Sequence, residues 1–225
     1  IAAIDLGTNS FHAVLVDIYP DGSFRTVNKL KEMVILAEKG LENKLSRDAM
    51  DRGLEALKRI KFLCDSHHVE TILAYATSAI REAVNGGDFI KQAEEETGVR
   101  IRAISGQMEA EMIGIAIRHS IALENEKVLM VDIGGGSVEF IIGNDQKFIY
   151  YNSLKLGVAR MSAAFINSDP IEDKEIKNLQ KHFKDELAEV LKLAKEHGVK
   201  TIIGSSGTME NIAEMVAHKK SLTVN

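Results

Sequence analysis

Cysteine and proline are nearly absent from this chain of 225 residues, which has one Cys and 2 Pro. The single thiol, Cys64, excludes a disulfide within the chain and favours a reducing compartment, so we expect a cytoplasmic protein. Few prolines, 45% hydrophobic residues and 27% charged residues are typical of a globular rather than a disordered protein. The length suits one large domain or two small ones.

Long hydrophobic runs and basic clusters are also missing. No stretch approaches the roughly 20 apolar residues of a membrane helix, and the first residues lack the basic region of a signal peptide. The formal net charge is -5, and basic and acidic residues alternate, so no basic stripe indicates duplex DNA binding. We therefore expect neither a membrane nor a nucleic acid as a partner. A polyanionic ligand would need backbone N–H groups, a few placed cations and a metal ion.

A weak internal repeat is the most informative feature of the organisation. Strand, Asp-X-Gly turn, strand, turn, strand and then helix are predicted twice, once from Ile1 and again from Val128. This repeat predicts two α/β domains of one fold, over residues 1–115 and 116–225. The pattern further predicts a third strand over residues 24–36 and helices over 46–66, with Ser46 as N-cap, 105–122 and 171–197.

The first glycine turn follows a strand that delivers a carboxylate, Asp5, to its end. The next residues expose backbone N–H groups at a tight turn, which can cradle phosphate oxygens. These turn residues are Gly7, Thr8, Asn9 and Ser10. A carboxylate repels a phosphate unless a divalent cation lies between them, so Asp5 is better placed as a Mg²⁺ ligand. A plain hairpin turn is the alternative interpretation.

The second glycine turn repeats this arrangement after Asp132. It consists of Gly134, Gly135, Gly136 and Ser137. Three glycines allow the backbone to approach a ligand closely. Glu139, at the start of the return strand, adds a further acid, although a solvent-facing strand residue is its simpler interpretation. Two such turns in duplicated domains would face each other across a cleft and hold one metal-bound phosphate chain.

Two other segments are weaker candidates for phosphate binding. A third glycine turn, between a strand over residues 200–203 and a helix, would place a helix N-terminus against a phosphate or nucleoside. It consists of Gly204, Ser205, Ser206 and Gly207. Arg81, on a predicted short helix, offers a guanidinium to phosphate. The simpler interpretations are a strand-to-helix turn and an ordinary surface arginine.

The helix from Ser105 carries two acids, Glu109 and Glu111, near its N-terminus. Cleavage of a phosphoanhydride by water needs a group that orients the water and accepts its proton, and a positioned Glu does this. Either residue fits that role by geometry. The simpler alternative is that acids at this place only stabilise the helix dipole.

Four motifs together resemble those of the exopolyphosphatase and guanosine pentaphosphate phosphohydrolase (Ppx/GppA) family. They are residues 4–10, 76–81, 105–110 and 132–139, in the family's order and spanning most of the chain. The resemblance implies duplicated ribonuclease H-like domains of the actin-like ATPase superfamily with a cleft between them. It also implies Mg²⁺-dependent (or Mn²⁺-dependent) release of orthophosphate from polyphosphate or guanosine pentaphosphate.

The resemblance further implies roles for single residues. Glu109 matches the family's catalytic base, and Asp132 and Glu139 match the acids of its second phosphate turn. We expect these three to be catalytic and Asp5, Asp132 and Glu139 to hold the metal ion. Asn9, Ser10, Arg81 and Gly134 match other site positions. The chain departs from the family pattern at Met108, where an acid is common, and in the third turn, where serine replaces a second adjacent glycine.

Two rival functions come from the same superfamily. One is a sugar-type or acetate-type kinase, against which the Glu109 motif and the Arg81 segment argue. The other is a nucleotide-gated binding or filament protein, for whose inserted surfaces this chain has little room. The start at Ile1 instead of Met, and the end soon after the third turn, lead us to expect a fragment with an incomplete second domain. The residues do not separate the two substrates, and they leave a homodimer open.

Overall fold

The computed structural model describes residues 1–37 and 44–220. The chain divides into two compact α/β units, Ile1–Ser105 and Gly106–Asn225, each with its own sheet and core. The division precedes the expected boundary after residue 115, because the helix that begins at Gly106 packs on the second sheet. Within the described ranges, every helix is too short or too polar to cross a bilayer.

The first unit is a five-stranded sheet in the order β3-β2-β1-β4-β5. Its strands are β1 (Ala2–Leu6), β2 (Ser10–Ile18), β3 (Phe24–Met33), β4 (Ile72–Ala76) and β5 (Ile101–Ala103). Its helices are α1 (Arg47–Ser66), α2 (Ser78–Glu82) and α3 (Gly86–Thr97). The Ser46 hydroxyl accepts a hydrogen bond from the Ala49 N–H, which confirms the predicted N-cap of α1.

Alternation along the strands places the core of the first unit on one face of the sheet. Ile4 on β1 and Phe11 and Ala13 on β2 are buried. The residues that alternate with them, Asp5 and His12, are exposed. Helix α1 buries its apolar stripe, including Leu57 and Cys64, in the same core. The polar residues of β1 and β2 therefore lie on the opposite face.

The second unit is a four-stranded sheet in the order β8-β7-β6-β9. Its strands are β6 (Val128–Ile133), β7 (Val138–Gly143), β8 (Phe148–Leu154) and β9 (Thr201–Ser205). Its helices are α4 (Gly106–Ser120), α5 (Val158–Phe165), α6 (Asp173–Glu186), α7 (Ala188–Glu196) and α8 (Ser206–Lys220). Both faces of this sheet are covered, since one cluster of buried residues includes α4 and another includes α5 and α7.

The internal repeat is confirmed at the level of strand order and direction. In each unit the first strand pairs antiparallel with the second and parallel with the fourth, and the third pairs with the second. The first four strands of the first unit thus correspond to the four strands of the second. Both units have the strand order and directions of a ribonuclease H-like domain, as the resemblance implies.

Three predicted elements differ in detail. Strand β3 ends at Met33, because the next three N–H groups turn to carbonyls of the first glycine turn. The helix over 171–197 begins at Asp173 and divides at Leu187 into α6, which has no buried residue, and α7, which buries Val190. The third glycine turn is absent as a loop, since β9 runs through Ser205 directly into α8.

Candidate active site

The second glycine turn connects β6 to β7 at the edge of the sheet where the parallel strands β6 and β9 both end. The Gly134 N–H donates to the Ser137 carbonyl over 3.0 Å and closes the turn. Gly136 and Ser137 are buried, whereas Gly134 and Gly135 are half-buried. The turn is therefore a tight backbone loop at a strand end, as predicted.

Helix α5 fixes the orientation of this turn through its N-terminal N–H groups. The Val158 N–H donates to the Gly134 carbonyl over 3.0 Å, and the Ala159 N–H donates to the Gly135 carbonyl over 2.9 Å. The Arg160 Nε–H donates to the Gly136 carbonyl over 3.0 Å. Three successive carbonyls thus point towards α5.

The same contacts direct three N–H groups away from α5. In a trans peptide the N–H is antiparallel to the carbonyl of the preceding residue. The N–H groups of Gly135, Gly136 and Ser137 therefore point away from the helix. A concave run of backbone N–H groups of this kind is a binding place for anionic oxygens.

Glu139 is the most deeply buried acid beside the turn, with only 2% of its surface exposed. Its register partner on β6 is Asp132, and its partner on β8 is Ser153, whose hydroxyl donates to Glu139 Oε1 over 2.7 Å. Burial, the negative charge of Glu109 and, to a smaller extent, that of Asp132 raise the pKa of Glu139 to about 7. The three expected catalytic acids therefore interact within one unit.

Asp132 lies at the end of β6, where two hydroxyl groups from the third motif contact it. The Ser205 hydroxyl donates to Asp132 Oδ2 over 2.6 Å. The Ser206 hydroxyl donates to the Ile133 carbonyl over 3.1 Å and also interacts with the Asp132 carboxylate. Burial nevertheless raises the pKa of the Asp132 carboxyl, because these hydrogen bonds only partly compensate for lost hydration. Gly204 and Gly207 lie on either side of these serines, in β9 and in the first turn of α8.

Two of the expected catalytic acids, Asp132 and Glu139, offer a donor set that suits a hard divalent cation. Among the side chains of the described ranges, no group of three His, Cys, Asp or Glu residues forms a ready metal cage. Mg²⁺ does not need one, because it is commonly held by one or two carboxylates together with waters and substrate phosphates. Asp132 and Glu139 fit that pattern, and a cation between them would offset the burial that raises the pKa of both carboxyls. Asp5, the third expected ligand, belongs to the first unit.

The raised pKa of Glu139 predicts a dependence of stability on pH. A carboxyl whose pKa rises from 4.5 to about 7 on folding stabilises the protein fully below 4.5 and loses this contribution as the pH rises through 7. The loss amounts to about 3 kcal/mol of unfolding free energy. Glu139→Gln should remove most of it, as measured by urea unfolding at pH 5 and pH 8 in EDTA. Equal losses in both proteins would contradict the assigned pKa, and Mg²⁺ should reduce the wild-type loss.

The first glycine turn has the same backbone arrangement in the first unit. The Gly7 N–H donates to the Ser10 carbonyl over 3.2 Å. Residues 34–36 take the place of α5: the Leu36 N–H donates to the Thr8 carbonyl, and two N–H groups donate to the Asn9 carbonyl. By the same trans-peptide argument, the N–H groups of Asn9 and Ser10 point away from residues 34–36.

Two further expected residues lie at the same edge of the first sheet. Asp5 is exposed, one residue before the end of β1, and its register partners are His12 on β2 and Tyr75 on β4. Arg81 lies on α2, directly after β4, and its Nη1 donates to the Ile104 carbonyl over 3.1 Å. Because β1, β4 and β5 are parallel, the Arg81 helix follows the strand ends beside the turn.

Sequence reasoning missed three residues that shape the second turn. Ser153 holds Glu139, and Arg160 holds the Gly136 carbonyl. Gly157, just before α5, lies so close to the turn that an added Cβ would be 2.4 Å from the Gly136 carbonyl carbon. The only local signal is a glycine at the N-cap of α5, because the contacts join segments about 20 residues apart.

Comparison with known proteins extends over nearly the whole chain. The model of the Ppx/GppA phosphatase family matches residues 15–224. A Haemophilus influenzae protein named provisionally as an exopolyphosphatase is 32% identical over 218 residues, covering 96% of this chain and 67% of that protein. The crystal structure of an exopolyphosphatase from Cytophaga hutchinsonii matches with a TM-score of 0.93 and 32% identity, over 100% of this chain and 72% of its own. The Aquifex aeolicus Ppx/GppA enzyme matches with a TM-score of 0.71 and 30% identity, over 92% and 67%.

Proposed function

The chain belongs to the Ppx/GppA phosphatase family, and from this premise we propose that it releases terminal orthophosphate from inorganic polyphosphate, guanosine pentaphosphate or both. The observation that carries the proposal is that Glu109, Asp132 and Glu139 lie close together beside the second glycine turn. The N–H groups of this turn point away from α5 and can bind an anion. Both substrates present a terminal phosphoanhydride, which is the bond that such a site is suited to cleave.

Glu109 is the general base in this proposal. A water molecule attacks the terminal phosphorus, its proton passes to the Glu109 carboxylate, and the bond to the bridging oxygen breaks to leave orthophosphate and a shortened chain. Glu109 is only half-buried, at the first turn of α4, whereas Glu139 is buried and bonded by the Ser153 hydroxyl, and Asp132 is bonded by the Ser205 hydroxyl. Of the three acids, Glu109 is therefore the one best placed to contact the attacking water molecule.

The glycine turns hold the phosphates in this proposal. The N–H groups of Gly135, Gly136 and Ser137 bind oxygens of one phosphate, and the turn over residues 7–10, with Arg81, binds those of another. Asp132 and Glu139 in the second unit, and Asp5 in the first, are the residues that would hold Mg²⁺ or Mn²⁺, which would supply positive charge to the phosphate oxygens. Ser205, Ser206 and the N-terminus of α8 are the proposed contacts for a more distal phosphate or a nucleoside.

Orthophosphate release tests the proposal directly. The full-length protein is assayed in Mg²⁺ with long polyphosphate, guanosine pentaphosphate and ATP, and again in excess EDTA. We expect release from at least one of the first two substrates, little from ATP, and none in EDTA, because the charge on the phosphates is then uncompensated. Tight ATP binding without release from any substrate would contradict the proposal and favour a kinase or a nucleotide-gated protein. A cytoplasmic location and independence of nucleic acid remain predictions.

A further inference from the structure

The two glycine turns have the same backbone arrangement but differ in the side chains beside them. In the second unit the register places Asp132 opposite Glu139, and Glu139 opposite Ser153. In the first unit the corresponding row is Asp5, His12 and Lys31. The positions that hold an acid and a hydroxyl beside one turn therefore hold an imidazole and an ammonium beside the other.

His12 is tied directly to the first turn. Its Nε2 lies 2.8 Å from the Ser10 hydroxyl, so the imidazole is oriented by a residue of the turn itself. The Lys31 ammonium is near enough to act electrostatically on the imidazole. Both side chains are exposed on the face of the sheet away from α1, because Phe11 and Ala13 occupy the core face of β2.

The charge on this face is opposite to that of the chain as a whole. The titratable groups on the central rows of this face are Lys29, Lys31, His12, Asp5, Tyr75 and Arg102. Three of them are permanent cations and one is an acid, whereas the whole chain carries a net charge of -5. Positive charge is therefore concentrated on this face of the first sheet, beside the turn over residues 7–10, although the protein as a whole is acidic. This charge favours an anionic ligand beside the turn.

We propose that His12 and Lys31, together with the turn over residues 7–10, form a phosphate site that does not require a metal ion, because the Lys31 ammonium takes the place of a cation in offsetting the charge of Asp5 in the same row. The Lys31 ammonium supplies charge, and the imidazole of His12 and the N–H groups of Asn9 and Ser10 supply hydrogen bonds. The ligand is one phosphate group of a phosphoanhydride chain, which ties the proposal to the proposed function. The phosphate held at the first turn does not react, whereas the acids of the second turn would hold the metal ion.

Binding of tripolyphosphate in EDTA tests this division of roles. Calorimetry compares the full-length protein with Lys31→Gln, His12→Gln and the control Lys29→Gln, whose side chain lies on the same strand and face, one row further from the turn. Lys31→Gln should weaken binding about tenfold, which corresponds to about 1.4 kcal/mol. His12→Gln should weaken it to a smaller extent, and Lys29→Gln should change it by less than about twofold, since exposed charges act over short range in salt.

The outcomes separate this proposal from the proposed function. Equal affinities of Lys31→Gln and Lys29→Gln, or tripolyphosphate binding that appears only with Mg²⁺, would overturn the metal-free site even if the enzyme releases orthophosphate. Lys31-dependent binding in a protein that hydrolyses no phosphoanhydride would support the site while the proposed function fails. In an active enzyme, Lys31→Gln should raise KM for polyphosphate much more than it lowers kcat, because the phosphate held there does not react.

Discussion

Glu109→Gln should lower kcat for orthophosphate release by about 10² to 10⁴, the usual contribution of a positioned general base. Glutamine has nearly the shape of glutamate but cannot accept the proton of the attacking water. Affinity for the substrate should persist, because the N–H groups of the second turn and the residues of the first unit are unchanged. Single-turnover phosphate release, with polyphosphate binding measured separately, distinguishes loss of chemistry from loss of binding.

Glu111→Gln is the matched control for this variant. Glu111 lies two residues further along α4, is exposed, and was the alternative base on sequence grounds. Glu109, in contrast, acts electrostatically on Glu139. Glu111→Gln should therefore retain kcat within about twofold, as is usual for surface changes away from the site. Full activity in Glu109→Gln, or a large loss in Glu111→Gln instead, would remove Glu109 from its assigned role.

The sequence predicted the fold well because its signals are local. A strand ending in Asp, a glycine turn and a return strand can be read from adjacent residues, and the pattern occurs twice. The N-cap at Ser46 is equally local, since its hydroxyl bonds the N–H three residues later. Fold class and the order of the elements followed from such signals.

The parts that sequence could not predict depend on contacts between distant segments. Ser153 is unremarkable in a strand, and only the pairing of β8 with β7 places its hydroxyl on Glu139. The early end of β3 likewise arises from hydrogen bonds to the first turn. The break at Leu187 lies between two segments that pack differently on the core, and no proline or glycine marks it. The functional roles of the site residues remain predictions of the motif and the geometry together.

Gly157→Ala should lower kcat/KM for polyphosphate by about 10² or more, because catalytic geometry tolerates displacements of less than about 1 Å. Gly157 has φ -62° and ψ 153°, a conformation that alanine adopts freely, so the effect is steric. A Cβ there would lie 2.4–2.5 Å from backbone atoms of Gly135 and Gly136, which cannot rotate away as a flexible side chain would. Either the turn or the start of α5 must move.

That movement breaks the contacts that orient the second turn. The N–H groups of Val158 and Ala159 no longer reach the carbonyls of Gly134 and Gly135, so the opposing N–H groups lose the fixed direction that the proposed phosphate site requires. Overpacking should also reduce the unfolding free energy by about 1–3 kcal/mol. Assays well below the unfolding temperature separate the two effects. Gly87→Ala is the control, because a Cβ at this exposed position of α3 meets open space. Gly157→Ala with wild-type kcat/KM would show that α5 does not position the turn.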